Sequence, residues 1–103
     1  MDMDDFQRYA LKSVALSKGD VSSLSHRSLG VSGEAGILAN LVKRIIRDKQ
    51  GKADEQDIAA VKERLGDIMY YTAVLAEYFD LKLSDIAEAN MRKSDAFRSS
   101  REQ

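Results

Sequence analysis

Leu38-Ala39-Asn40-Leu41-Val42-Lys43-Arg44-Ile45-Ile46-Arg47-Asp48-Lys49-Gln50-Gly51 is the stretch that decides the fold. Its apolar residues, Leu38, Leu41, Val42, Ile45 and Ile46, recur at helical spacing and so line one face of an α-helix. Gly51 then supplies the left-handed position on which helices commonly end. Working back, this helix is expected to start at about Ser22. Working forward, the side chain of Asp54 can cap the amides of the next helix, whose apolar residues Ile58, Val61, Leu65, Ile68, Met69, Thr72 and Leu75 keep the same period until Phe79-Asp80.

The flanks read the same way. Phe6, Tyr9, Ala10, Leu11, Val14 and Ala15 predict a first helix from about Asp4 that fades before Lys18-Gly19-Asp20. Ser84 reads as the cap of a fourth helix carrying Ile86, Ala87, Met91 and Phe97, followed by a polar tail from Ser99 to Gln103 that frays. Proline is absent from the chain, so nothing breaks long helices. Ile45-Ile46 and Met69-Tyr70-Tyr71 could seed strands in isolation, but each lies inside a longer run of helical period. The expected fold is an all-α four-helix bundle, one domain over residues 1–103.

Composition narrows the function. At 103 residues the chain can bury a real core, yet a domain of this size gains from oligomerising. Without cysteine, neither disulfides nor thiolate metal sites are possible, and a single histidine, His26, excludes a His-rich zinc site. Sixteen basic against seventeen acidic residues give a net charge of -1, which attracts neither nucleic acid nor an anionic membrane. No apolar run is long enough to span a bilayer, and the start through Asp2, Asp4 and Asp5 is unlike a signal or transit peptide. The expectation is a soluble cytoplasmic protein.

Two acidic patterns carry the chemistry, Gly33-Glu34-Ala35-Gly36 and Glu63-Arg64-Leu65-Gly66-Asp67. Carboxylates one turn apart point the same way, so two facing helices can gather oxygens around a hard cation. Glu63 and Asp67, four residues apart, share a helix face. The glycines at 30, 33 and 36 recur every third residue. Each weakens the helix by about 1 kcal/mol relative to alanine, but together they bare one face to a neighbouring helix or a ligand.

Leu29-Gly30-Val31-Ser32-Gly33-Glu34-Ala35-Gly36, Leu65-Gly66-Asp67-Ile68-Met69-Tyr70-Tyr71 and Leu83-Ser84-Asp85-Ile86-Ala87-Glu88-Ala89-Asn90-Met91-Arg92-Lys93 resemble, in this order, motifs of the MazG-like branch of the all-α nucleoside triphosphate pyrophosphohydrolases. The resemblance covers Leu29 to Lys93. It implies a four-helix unit that dimerises, often further to tetramers, and a Mg2+-dependent cleavage of a nucleoside triphosphate to its monophosphate and pyrophosphate, Mn2+ being a substitute. The family pattern places Glu-x-x-Glu on one helix and Glu-x-x-Asp on the next. Glu34 and Asp67 match, whereas Ile37 and Arg64 stand where two more carboxylates are expected. The local charge therefore changes by three units. Each unit charge 4 Å from a metal is worth about 1 kcal/mol in water and about 4 kcal/mol at an effective dielectric of 20.

Glu63 is a candidate replacement, which makes Glu34, Glu63 and Asp67 the expected metal ligands and catalytic carboxylates, one of them orienting or deprotonating the attacking water. Asn90 and Lys93 match the family's Asn-x-x-Lys, whose positions imply contacts to the nucleotide. Two readings of Arg64 stand side by side. Its planar fork binds substrate phosphates, or it forms an ion pair with Asp67 three residues on. The first goes with an active hydrolase, the second with a catalytically degenerate bundle serving as a nucleotide-binding or protein-interaction module. Tyr70 and Tyr71 are expected in core or interface packing rather than on a base, and His26 at a surface or helix start.

Overall fold

The computed structural model describes residues 1–12 and 20–102. Four helices account for nearly all of them: α1 (Met3–Leu11), α2 (Val21–Lys49), α3 (Glu55–Tyr78) and α4 (Leu83–Glu102), and no strand occurs among the described residues. Val14, Ala15 and Lys18-Gly19, the far end of the first expected helix, lie outside the described residues.

The ends are fixed by local chemistry. Asp2 caps α1 and Asp54 caps α3, each in a reciprocal box with the aspartate three residues on, Asp5 and Asp57. Asp20 caps α2 by accepting from the Ser22 amide at 3.1 Å. At the other end of α2 the chain turns through two left-handed residues, Gln50 (φ 55°) and Gly51 (φ 82°), and the Gly51 amide donates back to the Ile45 carbonyl at 3.1 Å. Lys49, the last residue of α2, reaches across this turn to the Asp54 and Asp57 carboxylates at 2.8 and 2.7 Å. Those hydrogen bonds hold the Asp54 carboxyl below the usual carboxylate range and the Lys49 ammonium above its usual value.

Ser84 is not the cap of the fourth helix, as its position suggested. Leu83 already belongs to α4, and the free amides of its first turn are satisfied from α1. Gln7 Oε1 accepts from the Leu83 amide at 3.0 Å, while Asp4 accepts from the Ser84 amide at 3.2 Å and from its hydroxyl at 2.8 Å. A side chain from another helix thus does the work expected of the local serine.

α2 and α3 form an antiparallel hairpin. α1 packs on the C-terminal end of α3, where Ala10, Ala73, Val74, Ala76 and Leu83 form the buried core with Phe6, Leu11, Tyr70 and Tyr71 against it. The Tyr71 ring lies against α2 at Gly30, so close that a β-carbon there would fall 2.2 Å from Cδ1. Gly30 is a close-approach glycine, whereas Gly33 and Gly36 have nothing within 4 Å of such a carbon.

The molecule is extended. Its radius of gyration is 16.7 Å, against about 13 Å for a compact chain of this length. α4 gives only Leu83 to the buried core and carries Met91 and Phe97 at 65% and 62% exposure. Six residues apart, the two stand about 120° from each other around α4, and both are open. An uncovered face runs along the hairpin. Of the five apolar residues that opened the sequence reading, Ile45 is buried, whereas Val42 and Ile46 are exposed. Helical spacing sets these two on the same side as the exposed Ile58, Leu65 and Met69 of α3.

Candidate functional site: a carboxylate–guanidinium cluster between α2 and α3

Register brings the acidic patterns together. Glu34 projects from the middle of α2 into the seam with α3, opposite the turn that carries Glu63, Arg64 and Asp67. Arg64 sits at the centre. Its Nη1 donates to Glu34 Oε2 at 3.0 Å and to Asp67 Oδ2 at 3.3 Å, and its Nη2 lies 3.7 Å from Glu63 Oε1. Exposure grades across the cluster, from 19% for the Glu34 side chain through 42% for Asp67 to 69% for Glu63. The Glu34 contact is therefore the least screened of the three, and its hydrogen bond is the main reason the Arg64 guanidinium is held above its usual value.

All three expected ligands thus face one positive centre, and that centre is a side chain of the protein. Magnesium needs near-octahedral oxygens at about 2.0–2.1 Å. Here the oxygens stand off at guanidinium distances, and no group of three Asp, Glu or His side chains among the described residues is arranged to hold a metal. The donors are hard carboxylates of the right type, but their present arrangement fits a planar cation. Arg64 points its fork at carboxylates, so in this arrangement it is not aimed outward at a phosphate.

Asn90 and Lys93 lie elsewhere. They share an open groove of about 730 Å³ on α4 with Ser94, Phe97, Arg98 and Arg101. The two matched residues therefore do share a helix face, joined by a guanidinium at Arg98 and an aromatic ring with Arg101 over it at 5.7 Å. Among the described residues they make no hydrogen bond or ion pair with the Glu34–Arg64–Asp67 cluster.

Tyr71 and Tyr70 meet edge to face with centroids 5.2 Å apart and pack on the core, as expected. His26 approaches the Tyr71 ring edge-on at 6.3 Å, early in α2. Three buried polar residues, Gln7, Ser23 and Arg27, carry no assignment from sequence, and Gln7 and Arg27 pin helices together. Gln7 donates to the Ala73 and Leu81 carbonyls at 3.2 and 2.9 Å, and Arg27 donates to the Val74 carbonyl at 2.7 Å with its guanidinium over Tyr78. Their only local signal is a polar letter on an otherwise apolar stripe, Gln7 among Phe6, Ala10 and Leu11.

No protein-family model matches this chain. No solved structure matches it either. A curated protein is similar, the "Gene 37 protein" of Mycobacterium phage L5, which is 40% identical over 73 residues, 71% of this chain. Those residues make up 64% of the phage protein, so the match spans a little under two thirds of that relative's length.

Proposed function

We propose that this chain is a MazG-like helical bundle directed at nucleoside triphosphates, built to bind the nucleotide with Arg64 as its resident cation. The observation that carries this reading is the convergence of Glu34, Glu63 and Asp67 on one positive centre in the α2–α3 seam. A triphosphate with a bound divalent ion is a competing cation and anion in one molecule, able to exchange partners with the Arg64–carboxylate cluster.

Hydrolysis to the monophosphate and pyrophosphate is the second reading, with Mg2+ or Mn2+ held by Glu34, Glu63 and Asp67. The feature in its favour is the donor type: three hard carboxylates surround the Arg64 guanidinium, the class of ligand magnesium takes. In both readings Asn90 and Lys93 contact the nucleotide, with Lys93 a point charge and Asn90 both donor and acceptor.

The working unit in this proposal is a homodimer or a dimer of dimers. Supporting it are the apolar side of the hairpin, with Val42, Ile46, Ile58, Leu65 and Met69 exposed, and the bare length of α4. A second copy would cover the one and carry the α4 groove of one protomer to the carboxylate cluster of its partner.

The test is calorimetric titration with a panel of nucleoside triphosphates, with and without Mg2+ or Mn2+, run beside an assay of pyrophosphate release. Binding without turnover supports the first reading and metal-dependent release the second. A chain that neither binds nor cleaves any member of the panel is not a nucleotide-directed protein.

A further inference from the structure

Three cations on the outer face of α2 have so far been given no role. Lys43, Arg44 and Arg47 are exposed, and with Ile37 and Asn40 they line a shallow groove of about 440 Å³. Arg47 is paired with Asp48 at 2.8 Å, and Arg44 feels Asp48 at longer range. Lys43 and Arg44 make no hydrogen bond or ion pair with any described residue. Two other basic side chains of the hairpin are answered, Lys49 by Asp54 and Asp57 and Arg64 by Glu34 and Asp67, whereas Lys52 and Lys62 make no side-chain hydrogen bond or ion pair with a described residue.

The position of the groove is as telling as its charge. Ile37, one turn beyond Glu34, is its first lining residue, and Arg44 lies two turns further on the same face. Helical spacing puts Ile37 and Arg44 on the side of the hairpin that carries Glu63 and Asp67, away from the apolar side of Val42 and Ile46. From Glu34 to Arg44 the axis advances about 15 Å, and the long side chains shorten the gap from both ends. The cluster and the strip are therefore two ends of one polar track. Like charges three and four residues apart on a helix repel, and an anion seated among them removes the repulsion.

We infer that Lys43, Arg44 and Arg47, with the Asn40 amide, form a phosphate-binding strip that takes the phosphate chain of a nucleoside triphosphate; the nucleotide part rests on the function proposed above. Arg44 and Arg47 supply planar forks for phosphate oxygens, Lys43 a mobile point charge and Asn40 a neutral donor. A small oligophosphate suits the strip better than a nucleic acid backbone. Its cations occupy little more than one helical turn, Asp48 closes one end and the carboxylate cluster the other, and the whole chain carries a net charge of -1. Polyanion binding draws on many cations along an extended path.

The experiment compares the full chain with a Lys43→Gln/Arg44→Gln variant. Both sites are exposed and glutamine keeps helix propensity, so thermal melting should be unchanged. Titration uses inorganic tripolyphosphate, a nucleoside triphosphate, the matching monophosphate and a short single-stranded oligonucleotide. The expected result is at least a tenfold loss of affinity for tripolyphosphate and triphosphate in the variant, with the weaker monophosphate binding unchanged. Equal triphosphate affinity in the two proteins overturns the strip and leaves the function proposed above standing. Loss of tripolyphosphate binding, in a protein that shows no preference for the nucleoside triphosphate, upholds the strip and overturns the nucleotide reading. Tighter binding of the oligonucleotide than of the triphosphate through Lys43 and Arg44 overturns the ligand assignment, and a wild-type chain that binds none of the four overturns both proposals.

Discussion

Replacing Gly30 and Gly33 by alanine, one at a time, should move stability in opposite directions. Both lie inside α2, where alanine is intrinsically favoured by about 1 kcal/mol. At Gly33 nothing lies within 4 Å of the added carbon, so Gly33→Ala keeps that gain. At Gly30 the added carbon would sit 2.2, 2.4 and 2.6 Å from Cδ1, Cε1 and Cγ of Tyr71, and ordinary contact begins at 3.4 Å. The ring must retreat by more than an ångström, and it is hemmed in by Tyr70 at 5.2 Å and His26 at 6.3 Å. Forced repacking of this kind costs about 1–3 kcal/mol, which overturns the propensity gain and leaves Gly30→Ala a net loss of about 1 kcal/mol.

The gap between the two variants is therefore about 2 kcal/mol, or roughly 10 °C in melting temperature for a domain of this size. Circular dichroism melts and urea titrations at one protein concentration measure it. Truncating the ring closes a double-mutant cycle: in a Tyr71→Ala background, Gly30→Ala should recover the stabilisation seen at Gly33. Equal melting temperatures for the two single variants would refute the reasoning, because the Tyr71–Gly30 contact would then not govern how closely α3 approaches α2.

Other perturbations probe the joints and the cluster. Gln7→Ala leaves the Leu83 amide and the Leu81 and Ala73 carbonyls without their side-chain partner, and should cost about 2–3 kcal/mol in urea unfolding. Hydrogen bonds from the Ser84 hydroxyl and then the Ser84 amide lower the Asp4 pKa from the ordinary 3.8. Its contribution is thus fully present above that value and is lost as pH falls through the lower folded value; the protection factor of the Ser84 amide, taken relative to the intrinsic exchange rate at each pH, should fall below pH 3.8, and in Asp4→Asn should already be low at neutral pH. Arg64→Met removes the internal cation and leaves three carboxylates facing one another, so the melting temperature should fall in chelator and rise again on adding Mg2+. An Mg2+ response equal to that of the wild type would show that Arg64 does not occupy the cation's place.

What the sequence could reveal divides along physical lines. Helix positions were legible because period and capping are local: Gly51 marks the end of α2 and Asp54 the start of α3 within a residue or two of where their chemistry places them. Burial was less legible, because it depends on which elements meet. Met91 and Phe97 are apolar positions of the expected fourth helix, yet both are exposed. The cap of α4 failed for the same reason, since its acceptors, Asp4 and Gln7, lie far away in sequence.

The cluster shows where that boundary falls. From sequence, Arg64 has a visible partner in Asp67, one turn on, and only a register between helices can add Glu34. That register is pinned at both ends, by Lys49 on Asp54 and Asp57 at the tip and by Gly30 against Tyr71 and Arg27 against Val74 at the base. Between these pins the antiparallel pair sets Glu34 against the turn that carries Arg64 and Asp67. Ile37, one turn on from Glu34, is 47% exposed and lines the outer groove with Asn40 and Arg44. On α2 the guanidinium takes Glu34, the less exposed of its two hydrogen-bonded carboxylates. A glutamate at position 37 alone would only give Arg64 another partner, and one at 64 alone would crowd uncompensated carboxylates. A cation site in this seam therefore calls for both changes together.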